Sequence, residues 1–292
     1  VTTLNIIGSG RAGRTLARVF ADCGSFEICD VFDRTLANAD SAVSFIGRGA
    51  AVDTLEKMRN ADVWMLTPAD DEIGAACAAL AACAILKRGQ IVFHCSGASP
   101  SSDLAVARGC GAHIASIHPL RSFADPATAA QTFSGTYCAA EGDPEALAVL
   151  RPAFERAGAH VSEIDVAYKT VYHASSVIVC NYLTALLEAG IRGYERAGFA
   201  RDDALRMIEP LVRETLDNVF KLGPVSALTG PVARGDRTVV HHHLEALAAW
   251  DARIAAIYRD LGGVAVDLAR AQAKADPEAL TAIDHLLSGK DS

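Results

Sequence analysis

The sequence predicts an α/β chain: an N-terminal part with a mostly parallel, doubly wound sheet, followed by an all-α C-terminal part. Three observations predict it. A short apolar run, Leu4-Asn5-Ile6-Ile7, leads into Gly8-Ser9-Gly10-Arg11-Ala12-Gly13 and then into a helical pattern. Apolar runs of strand length alternate with helical patterns up to residue 164. From Asp165 onward the strand pattern stops and helical patterns continue to the end.

The bulk properties bound the answer. The chain has 292 residues, room for one large or two ordinary domains, and 51% of them are hydrophobic, enough for a sizeable core. A net charge of −8 argues against nucleic acid or an anionic membrane as partner, because both need a basic face. The longest alanine-rich run, Ala75 to Leu86, is too short to span a bilayer. No signal-peptide pattern precedes the first strand. The eight cysteines are scattered without a Cys-x-x-Cys pair and read as small buried hydrophobes of a reducing compartment. A cytoplasmic globular protein is the expectation.

In order, strands are expected at Thr3–Ile7, Glu27–Phe32, Ala51–Thr54, Asp62–Leu66, Gln90–His94, His113–Ile117, Thr136–Ala140 and His160–Glu163. Helices are expected between them at Gly13–Asp22, Leu36–Ile46, Asp71–Leu86, Ser101–Arg108 and Pro144–Ala157. The helices of the second part run from Val166 to about Ala197, then Arg201–Leu222, Val239–Asp260, Val264–Ala275 and a short one at Pro277–Leu287. Gly198 and Gly223-Pro224 are stop signals. The division predicted is therefore residues 1–164 and 165–292, with a ligand cleft between the two.

The glycine spacing has a physical meaning. Gly8 allows a tight turn at the strand end, Gly10 lets a pyrophosphate approach the backbone, and Gly13 lets the helix pack close to the strand. The helix N-terminus then faces the phosphates with free N–H groups. Gly8, Ser9, Gly10, Arg11, Ala12 and Gly13 are thus the expected phosphate cradle, and Asp33, at the end of the second strand, is the expected ribose ligand. In a parallel sheet ligands bind beyond the carboxyl ends of the strands, which adds Arg34, Thr35, Thr67 and Pro68 to the cofactor side. Asp70 or Asp71 reads as a helix N-cap. Ser96-Gly97-Ala98 reads equally as a substrate-facing loop or a plain turn. His118, at the end of a strand, reads as a substrate-orienting or proton-shuttling group, or as a ring satisfied by backbone.

On the long helix, Lys169, His173, Ser176 and Cys180 share one stripe, and Lys169 and His173, one turn apart, can reach one substrate group. A lysine beside a hydride-transfer centre can protonate a carbonyl oxygen as it becomes an alkoxide. Arg234 and Arg237, before a helix capped by Asp236 or Thr238, are candidates for an anionic substrate group. The run His241-His242-His243 points its rings about 100° apart, so no metal site is expected.

The Gly-x-Gly-x-x-Gly domain followed by an all-α domain that opens on Lys169-Thr-Val-Tyr172-His173 resembles the 6-phosphogluconate dehydrogenase C-terminal-like superfamily. Its members include pyrroline-5-carboxylate reductase, 3-hydroxyacid dehydrogenases, ketopantoate reductase and prephenate dehydrogenase. With Asn181-Tyr182 and Leu228-Thr229-Gly230-Pro231-Val-Ala-Arg234-Gly235-Asp236, the chain resembles Rossmann-like proteins carrying the C-terminal domain of unknown function 2520. The resemblance implies an N-terminal Rossmann domain, a homodimer through the helical domain, and a catalytic lysine at Lys169. Several relatives place Asn one turn later, where this chain has His173. Ile117-His118-Pro119-Leu120 resembles the His-Pro segment of prephenate dehydrogenases.

The expected cofactor is NADP, with NAD as the alternative. Asp33 favours NAD through the ribose hydroxyls, while Arg11, Arg34 and Thr35 favour a 2′-phosphate. The function expected is hydride transfer between nicotinamide and a small carbonyl, imine or hydroxy-acid substrate in the cleft. Lys169 would be the acid/base, His173 would assist, and Ser96 and His118 would position the substrate. The alternatives are a prephenate dehydrogenase-like enzyme and a dinucleotide-binding sensor or scaffold without chemistry.

Overall fold

The computed structural model describes residues 1–289. Eight strands run β1 Thr3–Ile7, β2 Glu27–Phe32, β3 Ala50–Val52, β4 Val63–Leu66, β5 Ile91–His94, β6 His113–Pro119, β7 Tyr137–Gly142 and β8 His160–Glu163. They form one sheet in the order β3-β2-β1-β4-β5-β6-β7-β8. All neighbours are parallel except β6 and β7. The helices of the sheet domain are α1 Arg11–Cys23, α2 Leu36–Ile46, α3 Ile73–Ala82, α4 Ala105–Gly109, α5 Pro126–Gln131 and α6 Pro144–Arg156. Those beyond it are α7 Lys169–Arg196, α8 Arg201–Leu222, α9 Pro224–Ala227, α10 Arg237–Trp250, α11 Ala252–Gln272 and α12 Pro277–Ser288.

The central strands are continuous apolar runs because both faces are covered. Val63, Trp64, Met65 and Leu66 are fully buried, as are Val92 and Phe93. One core, on the side of α1 and α6, gathers Phe20, Phe93 and Phe154, whose rings meet edge to face at 5.0 and 6.2 Å. The other, on the side of α3 and α4, gathers Trp64, Leu80 and Ile114.

By contacts the chain divides into units of residues 1–181 and 182–292. The expected boundary, 164/165, marks where the strands stop. The contact division falls further along, inside α7, because the first turns of that helix pack with the sheet.

Three expectations are corrected. The expected helix break near Gly262 is absent: α10 ends at Trp250, and α11 runs through Gly262 and Gly263. Asp251 makes the break, its side chain accepting the N–H groups of Arg253 and Ile254 to start α11. Leu287 packs where a Cβ on Gly262 would sit, 2.7 Å away, so the absence of a side chain there lets α12 approach α11. Asp70 and Asp71 do not cap; they lie in a short 3-10 turn before α3, and no side chain caps either element. Cys110 and Cys180 are exposed, unlike the buried cysteines expected. Asp236 caps α10 as expected, accepting the Val239 N–H.

Residues Val166–Arg196 form a helix long and apolar enough to cross a membrane, with only 6% of its apolar window buried.

Candidate functional site

The glycine turn links β1 to α1 at the carboxyl edge of the sheet. Gly8 has φ +90°, and a Cβ there would stand 2.6 Å from the backbone of Thr67 and Pro68. A Cβ on Gly13 would stand 2.5 Å from the Gly8 carbonyl oxygen, which the Thr67 hydroxyl also binds at 2.6 Å. A Cβ on Gly10 would meet nothing within 4 Å, so this residue faces open space. No side chain caps the N-terminus of α1, and its first turn holds no acid. Oriented N–H groups and the dipole of a 13-residue helix thus point at that space, which is the chemistry of a phosphate cradle. The adjoining groove, about 410 Å³, is lined by Gly8, Gly10, Asp33, Arg34, Thr67 and Pro68 among others. The residues fit a dinucleotide. Thr35 is set back from the groove as the N-cap of α2, accepting the Asn38 N–H.

Asp33 does not present a free carboxylate. Oδ2 accepts the N–H and the hydroxyl of Ser9, both at 2.7 Å, and Oδ1 accepts the Asn38 amide at 3.1 Å. Burial pushes its pKa up, but these hydrogen bonds outweigh it and hold the carboxyl below its ordinary value. Arg34 is 84% exposed and pairs with Glu72 at 3.2 Å.

The second half of the site lies beyond β5 and β6. Lys169, the first residue of α7, is only 3% exposed. Its Nζ donates to Ser116 Oγ at 2.5 Å and to Glu141 Oε1 at 2.8 Å. Glu141 also accepts the Ser101 N–H at 2.7 Å and the Ser101 hydroxyl at 2.6 Å, so both oxygens of the buried carboxylate are hydrogen-bonded. Burial lowers the Lys169 pKa, and the Glu141 carboxylate opposes that shift. Ser116 passes the connection on, donating to the Ser96 carbonyl at 3.3 Å. The Ser96 hydroxyl accepts the N–H groups of Ala98 and Ser99 at 3.1 and 3.0 Å, so its side chain builds the turn.

Gly97 lies inside that turn. A Cβ on it would stand 2.5 Å from His173 Nδ1 and 2.7 Å from His118 Cε1, so only glycine admits the two rings. The rings stand 5.8 Å apart, and His118 Nδ1 shares a 2.9 Å hydrogen bond with the Tyr172 hydroxyl. Burial, reinforced by the charges of His173 and Lys169, lowers the His118 pKa to about 4, so the ring is neutral near pH 7. Burial pushes the Tyr172 hydroxyl up to about 12, so it keeps its proton. His173 Nδ1 is buried and has no hydrogen-bond partner.

The structure therefore brings His118, His173 and the Ser96 turn together, and sets Lys169 behind them against Glu141 rather than against His173. Three residues of this cluster escape the sequence reading. Tyr172 sits between Lys169 and His173 and belongs to the motif that opens the helix, but the sequence shows no partner from which to assign it a role. Glu141 is an acid ending an apolar run, a signal that was available. His94, fully buried on β5, accepts the Ser96 N–H on Nδ1 at 3.2 Å and faces the Pro100 carbonyl with Nε2 at 3.2 Å. Those partners assign the neutral Nε2–H tautomer, and burial, then the Lys169 charge, lower its pKa to about 4. The histidine run falls on α10, where His243 Nδ1 meets the Tyr258 hydroxyl at 3.0 Å. Among the described residues no group of three or more metal-ligating side chains converges. Arg234 and Arg237 are exposed in unit 2.

Two predictions follow from the buried charges. Glu141→Gln leaves Lys169 buried without a counter-charge, which costs about 3 kcal/mol. Urea unfolding should show that loss, and Glu141→Gln/Lys169→Met should recover part of it; an unchanged midpoint would contradict a buried ion pair. His94 is neutral in the folded state down to about pH 4 but protonates near 6.5 when unfolded, so the unfolded state binds the extra proton between those values. Its contribution to stability is present above pH 6.5 and falls by about 3 kcal/mol as pH drops to 4. Urea midpoints measured from pH 7 to 4 should fall less steeply for His94→Gln than for the wild type, and equal slopes would refute the assignment.

Comparison with known proteins agrees with this construction. A family model described as a Rossmann-like domain matches residues 2–119, and one described as a domain of unknown function (DUF2520) matches residues 136–264. No curated protein sequence matches the chain. Among solved structures, protein TM1727 from Thermotoga maritima is similar at 25% identity, covering 92% of this chain and 99% of its own, with a TM-score of 0.72. An imine reductase variant from Myxococcus stipitatus, in complex with NAD+, is 17% identical over 97% of this chain and 99% of its own, with a TM-score of 0.61. The pyrroline carboxylate reductase of Plasmodium falciparum, with NADP bound, is 14% identical over 98% of both chains, with a TM-score of 0.57. Residues 2–119 thus match a Rossmann-like domain and residues 136–264 a domain of unknown function (DUF2520), and the chain shares its fold with these solved structures.

Proposed function

We propose that this protein is an NAD(P)-dependent oxidoreductase that acts on a small carbonyl, imine or hydroxy-acid substrate. One observation carries the reading. The phosphate cradle and a cluster of polar side chains, His118, Tyr172, His173 and Lys169, lie along the same carboxyl edge of one sheet. A sensor needs the cradle and has no use for the cluster.

A bound nicotinamide would supply or accept the hydride. Gly8 to Gly13 would hold its pyrophosphate through the first turn of α1, with Thr67 and Pro68 forming the opposite wall. The chain's own task is then the proton. Tyr172 keeps its proton and His118 is neutral, so the pair can pass one proton to or from a substrate heteroatom and exchange it through the imidazole. His173 sits against the same turn and orients that heteroatom. Lys169, with two donors engaged, supplies a fixed positive charge behind the turn that favours negative charge developing on a substrate oxygen. NADP is the cofactor this reading prefers, since both oxygens of Asp33 are already taken while the Arg34 guanidinium is exposed.

A homodimer completes the reading. Helix α7 exposes Val171, Ile178, Val179, Tyr182 and Leu186, each at 41% or more. Its first turn is tied to the sheet through Lys169 and Glu141. In unit 2 a cavity of about 620 Å³ with apolar walls includes Leu186, Trp250 and Leu261. A second copy of the chain is the occupant proposed for this surface.

Titration with NADPH and NADH, followed by a screen of small ketones, imines and hydroxy acids including prephenate, tests the function. Tyr172→Phe and His118→Asn should each lower kcat about 100-fold with dinucleotide binding intact. Binding without turnover on any of these substrates would favour the sensor, and failure to bind either dinucleotide would refute the oxidoreductase reading. Light scattering should give twice the chain mass; a monomer across the micromolar range would remove the dimer.

A further inference from the structure

Resting on the dinucleotide reading of the groove, we propose that Glu72 is a specificity-determining residue that competes with a cofactor 2′-phosphate for Arg34. Arg34 follows Asp33 at the end of β2, on one wall of the groove. Glu72 precedes α3, on the other wall, four residues before Ala76, which lines the same groove. The 3.2 Å ion pair between them bridges the walls. Of the charged residues that line the groove, Asp33, Arg34 and Glu72, only Arg34 is a cation; Arg11, exposed at the first position of α1, does not line it. Asp33 is held by Ser9 and Asn38. The Arg14 guanidinium donates to the Ser9 carbonyl at 2.9 Å and to the Ser41 hydroxyl at 3.4 Å. Asp70 and Asp71 precede Glu72 in the same 3-10 turn and add negative charge to that wall.

Arg34 is thus the cation at the groove wall that a 2′-phosphate would engage, and Glu72 holds it. A dinucleotide with a free ribose hydroxyl leaves this ion pair intact. One with a 2′-phosphate must detach Arg34 from Glu72 and then sit beside a carboxylate of like charge. Glu72 therefore penalises NADP selectively and narrows the preference that Arg34 creates.

Fluorescence titration with NADPH and NADH on the full chain tests this, using wild type, Glu72→Gln, Arg34→Ala and the double variant. Removing one negative charge beside a dianion at physiological ionic strength corresponds to about 5- to 20-fold tighter binding. Glu72→Gln should tighten NADPH by that factor and change NADH less than about twofold, with the difference shrinking at high salt. In the Arg34→Ala background the same substitution should gain less, because the competition is gone. An NADPH-to-NADH ratio unchanged by Glu72→Gln, or an equal gain in both backgrounds, overturns the inference while leaving the oxidoreductase intact. Failure of every variant to bind either dinucleotide overturns both.

Discussion

The ion pair between Lys169 and Glu141 ties the start of the long helix to the sheet, and the site depends on it. Both groups are nearly dry, at 3% and 7% exposure, so each needs the other and its hydrogen bonds to remain charged. Removing either partner leaves an uncompensated charge, which makes the pairing geometrically strict. Tyr172 and His173 follow Lys169 by three and four residues, so they project from nearly the same side of α7 one turn later. Fixing the lysine fixes the direction in which those two side chains leave the helix. The connection continues through Ser116 to the carbonyl of Ser96, so the turn that receives the rings is held by the same anchor. Gly97 then provides the space, because any side chain there would occupy the positions of His173 and His118.

At the cofactor end the constraint is different in kind. The backbone of the glycine turn is held by neighbours on three sides: Thr67 binds the Gly8 carbonyl, Asp33 binds Ser9, and Arg14 reaches the Ser9 carbonyl. An acid at the end of a second strand is commonly read as a ribose ligand. Here its oxygens serve the turn itself. The same residue type in the same place can therefore have either duty, and the difference lies in what Ser9 and Asn38 offer it. Serine after the first glycine supplies both an N–H and a hydroxyl to one carboxylate oxygen, which a small apolar residue would not.

Much of this was legible in the sequence. The order and length of the strands follow from apolar runs, and the cradle follows from glycine spacing with a strand before and a helix after. Lys169 and His173 were singled out by a polar stripe on an otherwise apolar helix, and Ser96 and His118 by their places at the carboxyl ends of two strands. Their partners were not legible, since a partner is a matter of register between strands far apart in sequence. Glu141 lies 28 residues from Lys169 and 40 from Ser101, and nothing local pairs them. The helix break at Asp251 was missed for the opposite reason. The helix pattern was expected to pause between Asp260 and Val264, where two glycines lie, but α11 runs through them with Leu287 packed on Gly262, while a single aspartate caps its start.

The one reversal in the sheet explains why the acid and the lysine meet at all. Had β7 continued parallel to β6, its last residues would lie at the carboxyl edge, level with His118 and Pro119. Because β7 runs antiparallel, its end lies further down the strand: Glu141 pairs with Ser116, and Gly142 with Ala115. The carboxylate is thereby set one layer beneath the histidine, close to Ser101 and out of water. Gly142 permits the close approach, with φ +141° and a Cβ position only 2.5 Å from the Ala115 Cα. The negative charge is thus stored below the turn, where it can compensate Lys169. It does not stand beside His118, where it would raise the ring's pKa and end its neutrality near pH 7.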